Sequence, residues 1–131
     1  MLSSQIPNLY LDKNEKGRGV YTSSVIENNS IIELCPVIVL NRRERLLIHQ
    51  TRLHDYYFMW DIANESCAIA LGYGSIYNHS NSPNAAFDTL LEDEMIRFKS
   101  SRKIEAGEEI CVDYIALKQE QYGIWFDPVK E

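Results

Sequence analysis

Three groups of residues in this chain are of types that could do chemistry. One is a polar run, Asn78-His79-Ser80-Asn81-Ser82-Pro83-Asn84, which holds one of only three histidines. Another is the set of three cysteines, Cys35, Cys67 and Cys111. The third is aromatic: eight Tyr, four Phe and two Trp could line a site, although most aromatics in a domain serve its core. A histidine beside a thiol or hydroxyl could activate a nucleophile for hydrolysis. His79 has no such support, because no nucleophile motif or base–carboxylate pattern accompanies it or any of the cysteines. The cysteines are odd in number and widely spaced, with no CxxC pair and no Cys/His cluster at zinc spacing, so no metal is expected. They read as reduced, largely buried thiols of a cytoplasmic protein.

Charge narrows the partners. The formal net charge is −6. Binding to a phosphate backbone needs clustered Lys and Arg, so no direct nucleic-acid binding is expected. A basic protein or peptide is the better electrostatic match. No apolar run approaches the ~20 residues of a membrane-spanning helix, and the N-terminus lacks a signal-peptide pattern. The 131 residues suit one compact domain, 1–131, that folds without staples.

The elements that must position these residues are mostly short strands. Leu9-Tyr10-Leu11 is a candidate edge strand, and Lys16-Gly17-Arg18-Gly19 reads as a glycine turn before the strand Val20-Tyr21-Thr22. Asn28-Asn29 forms a turn between Val25-Ile26 and Ile31-Ile32. Val37-Ile38-Val39-Leu40 is a continuous apolar run of strand length, expected to be buried. Asn41 with Glu44 resembles a capping box and starts the one clear helix. Its apolar face would come from Leu46, Leu47 and Leu53, with Arg42, Arg43 and Arg45 mostly in solvent. Strands follow at Tyr56–Trp60, Ala68–Leu71, Ala85–Leu90, Met95–Lys99 and Glu109–Tyr114. Between them lie turns at Asn64-Glu65-Ser66, Gly72-Tyr73-Gly74, Glu92-Asp93-Glu94 and Ala106-Gly107. The fold class is mainly β with one or two short helices.

Singly, the motifs carry little. Their order and spacing carry more. Lys16-Gly17-Arg18-Gly19-Val20-Tyr21 is followed by Tyr77-Asn78-His79-Ser80-Asn81-Ser82-Pro83-Asn84, and then by Gly107-Glu108-Glu109-Ile110-Cys111-Val112-Asp113-Tyr114. This order resembles the SET-domain family: a GxG, an NHSxxPN block, and GEE followed by DY. The run Ala70-Leu71-Gly72-Tyr73-Gly74-Ser75-Ile76-Tyr77 looks especially like the short stand-alone SET proteins of bacteria and large DNA viruses. The resemblance spans about Gly17 to Tyr114, with 115–131 as a C-terminal cap. Departures are Ser75-Ile76-Tyr77 where Arg-Phe is common, Ile115 where glycine is usual, and no cysteine-rich zinc segment.

The resemblance implies a SET (β-clip-like) fold with a C-terminal pseudoknot, an exception to the rule that chains avoid threading. It implies a protein-lysine methyltransferase using S-adenosylmethionine. Lys16, Gly17, Arg18 and Gly19 match the strip that approaches the methionine part of the cofactor, and Asn78 and His79 match the cofactor-binding pair. Trp125 or Tyr122 would cover the adenine, and Trp125 is taken as the cover. Tyr114 matches the catalytic tyrosine. Tyr56, Tyr73 and Tyr114 would line the substrate channel, with Tyr57 adjacent to Tyr56. The substrate would be a basic protein bearing the lysine, and the enzyme a monomer or homodimer. A eukaryotic or viral source would make the location nuclear or chromatin-associated. The alternative is an inactive SET-fold module that binds peptide or cofactor, against which Tyr114 argues.

The chemistry can work with these residues. A free lysine has a pKa near 10.4, so deprotonation at pH 7 costs about 4.6 kcal/mol. Two positive charges ~4 Å apart repel by roughly 4 kcal/mol at an effective dielectric near 20. A bound sulfonium would therefore lower the lysine pKa by about three units. Tyr114 then need not be a strong base. Its hydroxyl would align the amine, and aromatic walls would favour a cation.

Overall fold

The computed structural model describes residues 8–113, and its strands begin with a hairpin. Strand β1, Leu9–Asn14, pairs antiparallel with β2, Gly17–Thr22, with Asn14 opposite Gly17. Only Glu15 and Lys16 remain for the turn. Asn14 Oδ1 accepts from the Lys16 backbone N–H at 2.7 Å, an Asx-type closure. Gly17-Arg18-Gly19 therefore opens a strand and is not itself the turn.

Five strands form the main sheet, in the order β4 (Tyr57–Met59), β5 (Cys67–Ala70), β3 (Ile31–Leu40), β8 (Met95–Ser100), β7 (Ala85–Leu90). Two short strands, β6 (Asn78–His79) and β9 (Cys111–Val112), pair apart from it. The expected β-rich class is observed, with one α-helix and one turn of 3-10 helix among the described residues. The core gathers Val20, Phe58, Tyr77, Ile96, Phe98, Ile104 and Ile110. Within it Tyr77 and Phe98 have ring centroids 4.6 Å apart, and Phe58 and Phe87 meet edge-on at 5.0 Å.

The strand at Val37–Leu40 exists, but it is not buried. β3 changes partner midway: Ile31–Pro36 runs along β8, and Val37–Leu40 runs along β5. Ile32, Glu33, Leu34 and Cys35 are buried in the first half, whereas Ile38 is 50% exposed. An apolar run is buried on both faces only if both are covered; Ile38 and Val39 point to opposite faces and both are exposed, so neither face of the second half is fully covered.

The helix α1, Arg42–Ile48, starts where expected. Asn41 accepts from the Glu44 N–H at 2.9 Å, and Glu44 Oε1 accepts from the Asn41 N–H at 2.9 Å, completing the capping box. Its leucines do not form a core face. No residue of α1 is buried, and Leu46, Leu47 and Leu53 are exposed. Arg45 also departs from expectation: its side chain is 11% exposed, and its Nε donates to the Glu65 carbonyl at 2.8 Å. Glu65 sits at φ 55° in the turn after β4, and Arg42 Nε also donates to its Oε1 at 3.1 Å, so two arginines tie the helix to that turn. With little apolar packing, α1 depends on its cap. Asn41→Ala should lower stability by about 1 kcal/mol, read as a drop in the thermal midpoint. No helix among the described residues is long and apolar enough to cross a membrane.

Candidate active site

The segment Gly107–Val112 brings the three motif blocks together. Its first part runs beside β2: the Gly107 N–H donates to the Thr22 carbonyl at 2.7 Å, and the Ile110 N–H donates to the Val20 carbonyl at 2.8 Å. Its second part is β9, which pairs in parallel with β6, Asn78 opposite Cys111 and His79 opposite Val112. Parallel pairs need long connections. Here the connection contains β7, β8 and the loop after them.

The polar run folds around β9. The Ser80 N–H donates to the Val112 carbonyl at 3.0 Å. Asn84, only 3% exposed, accepts from the Cys111 N–H at 2.9 Å and donates to the Glu109 carbonyl at 2.8 Å. This side chain imitates a strand neighbour and reinforces the Asn84 backbone N–H, which donates to the Cys111 carbonyl at 3.3 Å. Over the described part of the expected Glu109–Tyr114 strand, pairing is split: Glu109 bridges to Tyr21, and only Cys111–Val112 reaches β6.

Asn78 is held on two sides. Its Nδ2 donates to the Arg18 carbonyl at 2.8 Å and to Glu109 Oε2 at 2.7 Å. Two acceptors at one end of the amide settle its orientation. Oδ1 therefore points away from them, and among the described residues it accepts no hydrogen bond. Glu109 Oε1 in turn accepts from Asn14 Nδ2 at 3.4 Å, and Asn14 also donates to the Tyr21 hydroxyl at 3.0 Å. Gly19 lies against this network. A β-carbon there would stand 2.2 Å from Glu109 Oε2 and 3.1 Å from Asn78 Nδ2. At Gly17 a β-carbon would meet nothing within 4 Å, so the strip is open to a ligand on that side. Lys16 and Arg18 flank it and are exposed.

His79 keeps its ring among neighbours. Nε2 lies 3.1 Å from Asn81 Oδ1, and Nδ1 lies 3.5 Å from Asp113 Oδ1. This sets Asp113 beside the Asn78-His79 pair. Tyr114, Tyr122 and Trp125 lie outside the described residues.

The tyrosine side is built from two loops. Tyr56 closes the 3-10 turn Arg52–Asp55, and its side chain is exposed. Ser75 Oγ donates to the Tyr56 carbonyl at 3.0 Å and accepts from the Ala70 N–H at 3.2 Å, tying Tyr56 to the loop that carries Tyr73. Tyr57, the neighbour in sequence, points elsewhere. It is buried, lies 3.0 Å from His49 Nδ1, and is pushed up to about 12 by burial despite the lowering effect of Arg45. Tyr56 is therefore the exposed one of the pair, and its carbonyl is the one tied to the loop that carries Tyr73.

The cysteines are unsuited to nucleophilic work. Burial pushes the Cys35 thiol up, and the nearby Glu33 adds to the effect. Burial and then Glu109 push Cys111 up to about 11. A reactive thiol needs the opposite shift. All three cysteines are free, with Cys35 and Cys67 buried and Cys111 half-buried.

Sequence reasoning missed the supporting side chains. Asn84 and Glu109 stand inside quoted motifs, yet nothing in the pattern says that each holds another motif. Asn14 and Glu33 lie outside every motif.

A family model described as the SET domain matches residues 17–115. This chain belongs to the SET-domain family. It is 32% identical over 104 residues to a fission yeast (Schizosaccharomyces pombe) histone-lysine N-methyltransferase named as specific for H3 lysine-37, covering 79% of this chain and 69% of the relative. It is 33% identical to a Candida albicans histone-lysine N-methyltransferase named as specific for H3 lysine-36, covering 86% of this chain but 14% of that much longer protein. Among solved structures, a candidate histone methyltransferase of Plasmodium falciparum superposes with a TM-score of 0.68 at 28% identity, over 87% of this chain and 95% of that one. The SET domain is a lysine methyltransferase fold, and this member is an N-methyltransferase of lysine.

Proposed function

We propose that this SET-domain protein transfers a methyl group from S-adenosylmethionine to a lysine side chain of a basic protein. The reading is supported most by one arrangement: Asn78 bonded to Arg18 and Glu109, with β9 alongside and Tyr114 next in the chain. The residues fit the cofactor. The backbone at Gly17-Arg18 is open, and Asn78 Oδ1 is an acceptor for the ammonium of a methionine moiety. When bound, the cofactor supplies an electrophilic methyl on a sulfonium centre.

The chain's own residues then have separate tasks. Lys16, Gly17, Arg18 and Gly19 form the strip along the methionine part. His79, whose ring is occupied by Asn81 and Asp113, offers its backbone toward the adenine. Trp125, from a cap formed by 115–131, covers the ring. Tyr56 and Tyr73 wall the lysine channel, and the Tyr114 hydroxyl aligns the amine so that attack is in line. The crossing of the late segment past the Asn78–Asn84 run is the SET pseudoknot. A net charge of −6 suits a basic tail as substrate, and relatives named for histone H3 make a histone tail the first substrate to try. Such a substrate implies a nuclear or chromatin-associated site of action. The oligomer is a monomer or homodimer.

Calorimetry with S-adenosylmethionine and its demethylated product, followed by turnover on lysine peptides, tests the proposal. Binding should be measurable, and Asn78→Ala should weaken it about 10-fold or more, the effect of one hydrogen bond to a charged group. No binding of either ligand to folded protein would sink the reading. Binding without transfer to any basic protein would make the chain a binding module instead.

A further inference from the structure

Glu33 is a carboxyl group in the middle of the domain, in β3, 1% exposed. No Lys or Arg pairs with it among the described residues. A buried acid without a cation is a poor stabiliser, and an apolar side chain of the same size is often as good or better for folding. Its partners point to another role. Tyr77, itself buried, donates its hydroxyl to Oε1 at 2.6 Å. The Tyr73 backbone N–H donates to Oε2 at 3.0 Å. Gly72, at φ 66°, passes so close that a β-carbon would stand 2.3 Å from Oε2, so the chain reaches this carboxyl only without a side chain.

These contacts fall at the two ends of one loop, Gly72–Tyr77. The loop carries Tyr73 on the lysine side, and its last residue precedes Asn78 on the cofactor side. Inside the loop the only backbone bonds are local: Gly74 N–H to the Leu71 carbonyl at 3.3 Å, and Ile76 N–H to the Tyr73 carbonyl at 2.8 Å. The loop has no ladder of its own to hold both ends in register. We propose that Glu33 is a positioning residue for methyl transfer, its two oxygens setting the channel tyrosine Tyr73 and the cofactor residue Asn78 at a fixed separation. This rests on the roles assigned to Tyr73 and Asn78 above.

The test compares Glu33→Met, Glu33→Gln and Tyr77→Phe. Methionine keeps the volume and removes both acceptors. Glutamine can still accept from Tyr73 with its oxygen and donate to the Tyr77 hydroxyl with its nitrogen, so it should rescue. Two readouts are taken: turnover of a lysine peptide at saturating S-adenosylmethionine, and amide hydrogen exchange of the ligand-free protein. Glu33→Met should lower kcat about 10-fold with peptide KM within a few-fold, an alignment effect rather than a binding one. Exchange at Tyr73, Gly74 and Ile76 should quicken about 10-fold, while β7 and β8 keep their protection. Glu33→Gln should stay within about 3-fold of wild type in both readouts.

A folded Glu33→Met protein with wild-type turnover and wild-type loop exchange would overturn the proposal. So would a change in melting temperature alone, since that is all a merely structural carboxyl predicts. Should the methionine variant not fold, Tyr77→Phe decides, because it keeps the acid and the ring and removes one donor; unchanged turnover and exchange there would also overturn it. If wild-type protein neither binds the cofactor nor methylates, the functional reading fails, and the exchange data still say whether Glu33 anchors the loop.

Discussion

Tyr114→Phe should slow single-turnover methylation at least ~100-fold, about 2.7 kcal/mol of barrier, while cofactor affinity stays within a few-fold. The substitution removes one hydroxyl and keeps the ring. A tyrosine that only packed at a strand end would tolerate it, because volume is conserved. The expected loss comes from alignment. Once the amine is neutral, the remaining task is to hold its lone pair in line with the methyl, and a single directed oxygen does this where water would not. Asp113 Oδ1 lies 3.5 Å from His79 Nδ1, which sets the residue before Tyr114 in the sequence beside the Asn78-His79 pair. Single-turnover rates on a lysine peptide, paired with calorimetry on the same variant, check the prediction. Near-normal turnover would remove Tyr114 from the mechanism.

The fold was legible where local chemistry dictates it. The Asn41–Glu44 cap, the turns at Asn29, Glu65 and Gly107, and the strand Ala85–Leu90 all follow from residue types within a few positions of each other. What failed depends on layers. Val37–Leu40 is apolar throughout, yet whether it is buried depends on what lies across its two faces, and no local pattern carries that. Leu46 and Leu47 look like a core face for the same reason, but α1 packs through Arg45 on Glu65. An arginine with a long apolar stem can be buried more readily than its charge suggests, provided its head finds acceptors.

The candidate site shows a similar division. The motif order already brings to notice Gly19, Asn78 and Glu109, which the fold places together. Their supporting contacts were not legible, because support is a relation between segments far apart in sequence. Glu109 holds Asn78 across 31 positions, and Glu33 holds Tyr77 across 44. A lone acidic residue within a strand gives no hint of which amide or hydroxyl it will meet. The one local clue is glycine. Gly19 and Gly72 each leave room for one of these carboxyls, so a glycine inside or just after a strand marks a close approach even when the partner cannot be named.

Gly19→Ala should weaken S-adenosylmethionine binding roughly 30-fold or more, a large effect for one methyl group. The added carbon would stand 2.2 Å from Glu109 Oε2 and 2.9 Å from its Cδ, so the carboxyl must move. It cannot move without consequence. The Glu109 backbone is fixed, with its carbonyl accepting from Asn84 at 2.8 Å and the next N–H donating to Val20 at 2.8 Å. Swinging the side chain away breaks its 2.7 Å bond to Asn78 and its contact with Asn14. Asn78 then keeps only the Arg18 carbonyl, and its amide can rotate, taking Oδ1 out of the ligand's reach. A general loss of stability is the competing explanation, and Gly107→Ala controls for it. Gly107 has φ 91° and open space around it, so alanine there strains the backbone by about 1–3 kcal/mol without touching Asn78. Calorimetry should show weak binding for Gly19→Ala and near-normal binding for Gly107→Ala, each measured well below its melting temperature. Combining Gly19→Ala with Glu109→Ala relieves the clash but returns no acceptor to Asn78, so affinity should remain low. Recovery of wild-type affinity in that double variant would mean that the carboxyl of Glu109 does not orient Asn78.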